Sequence, residues 1–156
     1  MVVFGTFDII HPAHLKFLIE VRSAVDCFEC ELIVVLARDS SIVRIKGHEP
    51  IFDEEKRLRL ISGLRVVDYA LLGNEGENHF QIILDLEPDY IVLGYDQVPN
   101  IDPLLEFIKN NKLKTIVHRL PKYESGDLSS SSEVRDKVLE LYNSQKKNKE
   151  RRDNSS

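Results

Sequence analysis

The sequence predicts one α/β domain, a five-stranded parallel sheet with helices on both faces. Three observations carry that expectation. Short apolar, β-branched runs alternate with segments of helical spacing along almost the whole chain. The strand runs are nearly continuous in apolar residues, as strands covered on both sides must be. A length of 156 residues suits a single core better than two.

The elements follow in order. "MVVFGTF" is a short β-rich run. "HPAHLKFLIEVRSAV" places Leu15, Leu18, Ile19 and Arg22 at helical spacing behind a proline suited to a first turn. "ELIVVLA" is a second strand. "DEEKRLRLISGL" reads as a helix closing near Gly63, and "VVDYALLG" as a third strand. "NHFQIILDL" is helical and stops before Pro88. "DYIVLG" is a fourth strand, "DPLLEFIKNN" a helix and "KTIVHRL" a fifth strand. "SSSSEVRDKVLELY" opens on serines and ends the domain with a helix. This is a Rossmann-like arrangement, reached through right-handed crossovers. The domain spans 1–143, and 144–156 is expected to be a disordered, basic polar tail.

Composition narrows the classes. Apolar content of 42% and charged content of 30% are ordinary for a soluble globular chain. No apolar run is long enough for a membrane, and no leader-like series opens the chain, so the default location is cytoplasmic. From Ser144 on, five Lys/Arg face two Asp/Glu, a local +3. That leaves −8 for the remainder of a chain whose net charge is −5. An acidic body argues against nucleic acid as a partner. The pair "CFEC" (Cys27 and Cys30) precedes a strand instead of opening a helix, and is expected to hold free thiols.

In doubly wound sheets, ligands bind outside the carboxyl ends of the strands. Those ends here carry Thr6 and Asp8, Arg38 and Asp39, Asp96, and Arg119. The stretch "GTFDIIHPAH" is the most informative. His11 and His14 are three residues apart, about 300° of rotation and roughly 4.5 Å of rise, so both rings share one face of a first turn. A helix start offers backbone N–H groups and about half a positive charge, which suit phosphate. That positive end favours neutral imidazole, and a neutral ring still donates one hydrogen bond. A structural reading (a capping and a surface histidine) and a metal-chelating reading compete. No third ligand with metal-like spacing stands nearby. At the other end, Ser130 and Glu133 have capping-box spacing. The same helix start could bind phosphates beside Arg135. Neither a P-loop nor a Gly-x-Gly-x-x-Gly motif is present. His48, His79 and His118 stand alone and read as structural or exposed.

"GTFDIIHPAH" resembles the signature of the cytidylyltransferase-like nucleotidyltransferases, in which Gly-Thr-Phe-Asp leads to His-x-Gly-His. "SSSEVR" (Ser130–Arg135) resembles their second signature, Ser-Ser-Thr-x-Ile-Arg. Ala13 stands where the family has glycine, and Ser132 where it has threonine. Over about residues 1 to 142, "ELIVVLARDSSIVRIKGHEPIFDEEKRLRLISGLRVVDYALLG" and "PDYIVLGYDQ" are similar to archaeal FAD synthases. The resemblance implies transfer of AMP from ATP to the phosphate of FMN, giving FAD and pyrophosphate, with Mg²⁺ carried by ATP and no dedicated protein metal site. Glycerol-3-phosphate cytidylyltransferase shares the frame, so a CTP-dependent transfer to a small phosphate is the alternative. A nucleotide-binding module without turnover is the second.

By the same resemblance, His11, His14, Lys46 and Arg135 are the catalytic candidates. Thr6, Phe7, His11, Pro12, Ala13, His14, Asp96, Tyr123, Ser130 and Ser131 are the nucleotide-binding candidates. Lys46, in "RIKG" with Arg44, would be a mobile clamp on a flexible connection. Arg57 stands at a family arginine position and is a further candidate phosphate contact. A homodimer is compatible with the resemblance.

Overall fold

The computed structural model describes residues 1–25, 29–76, 79–95, 97–98, 100–122 and 129–153, the side chains of 148–153 excepted. All five expected strands form: β1 (Val2–Gly5), β2 (Ile33–Leu36), β3 (Tyr69–Leu72), β4 (Tyr90–Leu93) and β5 (Ile116–Arg119). They make one parallel sheet in the order β3-β2-β1-β4-β5. The helices are α1 (Pro12–Ala24), α2 (Asp39–Lys46), α3 (Glu54–Ser62), α4 (Gln81–Leu86), α5 (Asp102–Asn110) and α6 (Ser131–Asp153).

Strand alternation sorts the core onto two faces. Val3, Val34, Leu36 and Val92 pack with Phe17, Leu18 and Val21 of α1 and Ile61 of α3. Phe4, Ile91 and Leu93 pack instead with Ile83 of α4 and with Leu104 and Ile108 of α5. The strand order reverses between β1 and β4. There β1 pairs with β2 along four positions, Val2 to Gly5, but meets β4 only at Val2 and Ile91. The carboxyl ends of β1 and β4 therefore part, which opens the crevice such sheets use for ligands.

Two local expectations need correction. Residues 39–46 form α2, where the sequence suggested a flexible connection. Its β-branched Ile42, Val43 and Ile45, within four positions, hid the helical period. Asp39 in its first turn and a left-handed Gly47 at its end (φ 74°) are ordinary start and stop signals. At the far end, α6 continues through Asp153, where a disordered tail was expected. Lys, Arg, Gln and Glu are good helix formers and allow the extension. From Asp136 to Lys147 every residue of α6 is exposed, including Val138, Leu139, Leu141 and Tyr142.

A third correction concerns Cys30, which is disulfide-bonded. The free-thiol expectation tied oxidation to a helix start, but pairing requires only Cβ proximity. Cys27 lies outside the described residues.

Candidate active site

A cavity of about 620 Å³ fills the crevice. Its floor is the turn that leaves β1. Gly5 is required there, because a Cβ would sit 2.5 Å from the Phe7 ring. Phe7 and Ile9 then take left-handed backbone angles, φ 51° and 52°. Such conformations are unfavourable for non-glycine residues and persist only where the surroundings impose them.

Two charged side chains impose them here. Arg57 of α3 is fully buried. It donates to the carbonyls of Thr6 (2.7 Å), Ala37 (2.7 Å) and Phe52 (3.0 Å), and to the Asp39 carboxylate (2.7 Å). It thus joins the ends of β1 and β2 from beneath, and it is not among the cavity-lining residues. This corrects the expectation that Arg57 touches phosphate: four of its five N–H donors are already committed. Asp8 is buried too, and its carboxylate accepts from the backbone N–H of Ile51 and Phe52, both at 3.0 Å. The Ser131 hydroxyl donates to the Asp8 carbonyl. One aspartate thereby links the turn after β1, the segment entering α3 and the start of α6.

His11 is the N-cap of α1, with extended backbone and no side-chain cap, and Pro12 follows it. The His11 and His14 rings stack with centroids 3.7 Å apart, and His14 also lies 5.2 Å from the Phe7 ring. The Nδ1 atoms of both histidines are buried without a hydrogen-bond partner. Burial is the main reason that the His14 pKa falls to about 4. The His11 and Lys46 charges push the same way and Asp8 opposes. His11 is lowered as well, again chiefly by burial, with Glu133 opposing. Both rings are neutral at pH 7, as the sequence led us to expect, though burial instead of the helix end is the leading cause.

Thr6, Phe7, Ala13, His11 and His14 line the cavity together with Lys46. Lys46 occupies the last turn of α2 and is exposed. Arg44 points elsewhere, to the Gly76 carbonyl and the His79 ring. Pro12 is exposed and does not line the cavity.

The opposite side is the start of α6. Ser130 accepts from the Glu133 N–H (3.2 Å), and Glu133 reaches back to the Ser129 N–H (2.7 Å). The expected capping pair forms, displaced by one residue on its return bond. Ser130, Ser131 and Arg135 line the cavity, and Arg135 donates to the Ser132 hydroxyl at 3.1 Å. Two helix N-termini therefore face one cavity.

Sequence reasoning missed several lining residues. His48 stands two positions beyond Lys46 and lines the cavity, although it read as structural or exposed. Gln97, next to Asp96 in "GYDQ", also lines it. Phe17 and Ile42 do so as well, from α1 and α2. Their helical spacing from Ala13 and Lys46, four residues in each case, was the available signal. Asp96 and Tyr123 lie outside the described residues.

Chemically, the arrangement offers neutral ring donors, two cationic side chains and a helix start, which together match a chain of phosphates. Among the described residues, no group of three or more His, Cys, Asp or Glu side chains could hold a metal ion. None of the helices among these residues is long and apolar enough to cross a membrane.

Comparison with known proteins agrees with this chemistry. The cytidylyltransferase-like family model matches residues 2–137. The chain is 44% identical over 137 residues to a protein named FAD synthase from Thermoplasma volcanium, covering 88% of this chain and 92% of that one. It is 41% identical over 138 residues to the FAD synthase of Archaeoglobus fulgidus, covering 88% and 96%. A crystal structure titled as the lipopolysaccharide core biosynthesis protein of Thermoplasma volcanium superposes with a TM-score of 0.69. It has 41% identity and covers 79% of this chain and 96% of that one. With its crevice, its stacked histidines and a family match over most of its length, the chain belongs to the cytidylyltransferase-like family.

Proposed function

We propose that the protein is an FMN adenylyltransferase that makes FAD. A phosphate oxygen of FMN attacks the α-phosphate of ATP. The new O–P bond forms as the bond to the β-phosphate's bridging oxygen breaks, and pyrophosphate leaves. The stacked His11–His14 pair, its buried Nδ1 atoms without a hydrogen-bond partner, in one cavity with the serine-rich start of α6, is the observation that carries this reading. The likeness to proteins named FAD synthase supports FMN as acceptor.

The reaction asks the protein mainly to position two phosphates and to offset charge on the α-phosphate and leaving group. Neutral histidines in a dry site suit that task, since each adds a donor without a fixed cation to desolvate. Loss of one such donor typically costs on the order of 3 kcal/mol, about a hundredfold in rate. Lys46 reaches the phosphates from the end of α2, next to the left-handed Gly47. Arg135 and the Ser130–Ser131 start of α6 bind the leaving pyrophosphate. Magnesium is carried with ATP, its ligands phosphate oxygens and water.

The protein acts in the cytoplasm on small molecules, with no membrane or nucleic-acid partner. The exposed Val138, Leu141 and Tyr142 share a face of α6 and fit a homodimer contact.

The test is pyrophosphate release with ATP or CTP, Mg²⁺, and either FMN or glycerol 3-phosphate. Release with ATP and FMN, with FAD appearing, is expected. Release with CTP and glycerol 3-phosphate would replace this reading by the alternative, and silence in every pairing would leave a nucleotide-binding module.

A further inference from the structure

We infer that Arg119 is a positioning residue: it clamps the loop after β4 into the strained shape that receives the nucleoside of the nucleotide substrate, and so sets which nucleotide is used. The inference rests on the nucleotidyl-transfer reading above.

Arg119 ends β5 and reaches sideways to the neighbouring strand's loop. Its Nη1 donates to the carbonyls of Gly94 (3.1 Å), Tyr95 (3.4 Å) and Gln97 (2.5 Å), and its Nη2 donates to Val98 (2.8 Å). One rigid guanidinium fork thus gathers four carbonyls from a stretch of five residues, which a lysine's compact ammonium could not do. Gln97 adds a second tie. Its side-chain amide donates to the Phe4 carbonyl of β1 (2.9 Å) and its oxygen accepts from the Gly94 N–H (2.9 Å). That bond spans the gap where β1 and β4 part. The loop's position is therefore set relative to the turn that carries Phe7 and the histidines.

Val98 shows that the clamp works against a local preference. Its φ is 48°, and a β-branched residue there is a genuine outlier. Strain of this kind survives only where surrounding bonds over-determine it. Gly94, Tyr95 and Gln97 line the cavity, whereas Arg119 does not. Drawing the Gly94 and Gln97 carbonyls to Arg119 also turns the N–H groups of Tyr95 and Val98, in the same planar peptides, the opposite way. Such groups are how a backbone loop reads the edge of a base. Arg119 therefore acts through the loop, from outside the cavity lining.

The experiment compares wild type, Arg119→Met and the double variant Arg119→Met/Val98→Gly. Steady-state pyrophosphate release with FMN gives kcat and KM, and equilibrium titration with ATP and CTP, without acceptor, gives binding alone. Arg119→Met is expected to raise the ATP KM about tenfold with kcat within about threefold, the pattern of lost ground-state positioning. The preference for one nucleotide over the other should shrink by a similar factor. Glycine adopts a φ of 48° without strain, so the double variant should recover much of the lost affinity, which a general loss of stability would not allow. If Arg119→Met does not fold, Arg119→Lys is measured instead, with the same expectation.

A variant that melts earlier yet keeps the wild-type KM and nucleotide preference would overturn the inference. So would a double variant no better than the single. Binding of ATP by wild type without turnover of FMN would count against the proposed acceptor only, because the titration still reads the clamp. Wild type that bound neither nucleotide would overturn both.

Discussion

The cavity lies between two helix starts that solve the same problem in opposite ways. At α6, Ser130 caps the helix, Glu133 returns a bond to Ser129, and the serines remain partly exposed beside Arg135. At α1 there is no side-chain cap. Its N-cap His11 stacks on His14 of the first turn, and the buried Nδ1 atoms of both have no partner. Both ends carry the same helix dipole. The α6 start has satisfied itself and offers charge in a wet setting, where charges bind but are screened. The α1 start holds unused hydrogen-bonding capacity at buried Nδ1 atoms, where a donor acts more strongly on charge as it develops. Changes at α1 should therefore appear in turnover and changes at α6 in affinity.

That contrast depends on the turn delivering α1, so its support should give the largest effect. Arg57→Met keeps much of the side chain's volume but leaves three carbonyls and Asp39 without their buried partner. Breaking such a buried pair typically costs about 3–5 kcal/mol. Urea unfolding should show a loss of that order. A loss below about 1 kcal/mol would mean that the strained turn at Phe7 and Ile9 holds itself.

The next effect tests how strongly burial acts on His14. The folded pKa of His14, about 4, lies below the ordinary value of 6.5. Between those values the unfolded chain binds a proton that the folded chain does not. Stability from this group is therefore unaffected above about pH 6.5, declines as pH falls, and is fully lost below about 4. The integrated loss is roughly 3 kcal/mol. His14→Gln removes this titration, so unfolding free energies of the two proteins at pH 7 and near pH 4 should diverge by about that amount. Parallel pH profiles would show that the ring is not dry.

His14→Ala should lower kcat about a hundredfold while leaving the substrate KM within a few-fold. Near-normal turnover would remove the role assigned to the α1 start, whatever the fate of the fold.

Much of this was legible in the chain because it rests on local pattern. The five strands declare themselves by short β-branched runs, and His11 and His14 by a three-residue spacing that any helix start turns into proximity. What stayed hidden depends on the third dimension. Arg57 reads as a candidate phosphate contact, because its acceptors are main-chain carbonyls 5 to 51 residues away that no side-chain pattern records. Arg119 and Gln97 are of the same kind. Helix α2 escaped because three of its eight residues are β-branched, and burial of Ser41 and Ile42 overrides their weak propensity. His48 escaped because one histidine in a loop has no spacing to read.

The smallest effect asks whether the α6 start serves the fold or the phosphates. Ser130→Ala removes the cap and should lower stability by about 1 kcal/mol, some 2–4 °C in Tm for a chain of this size. Ser130→Asp keeps a capping oxygen, so its Tm should stay near that of wild type. Its carboxylate would nonetheless line the cavity where we propose the pyrophosphate end of ATP to bind. A like charge at contact range is unfavourable by roughly 1–4 kcal/mol, so the ATP KM should rise at least several-fold while kcat holds. If the aspartate variant binds ATP normally, α6 is a capped structural helix and the triphosphate must be held elsewhere, by Lys46 and α1. If its KM rises as its Tm stays fixed, one serine is shown to do both jobs, and the two helix starts differ in how they are satisfied, not in whether they meet the nucleotide.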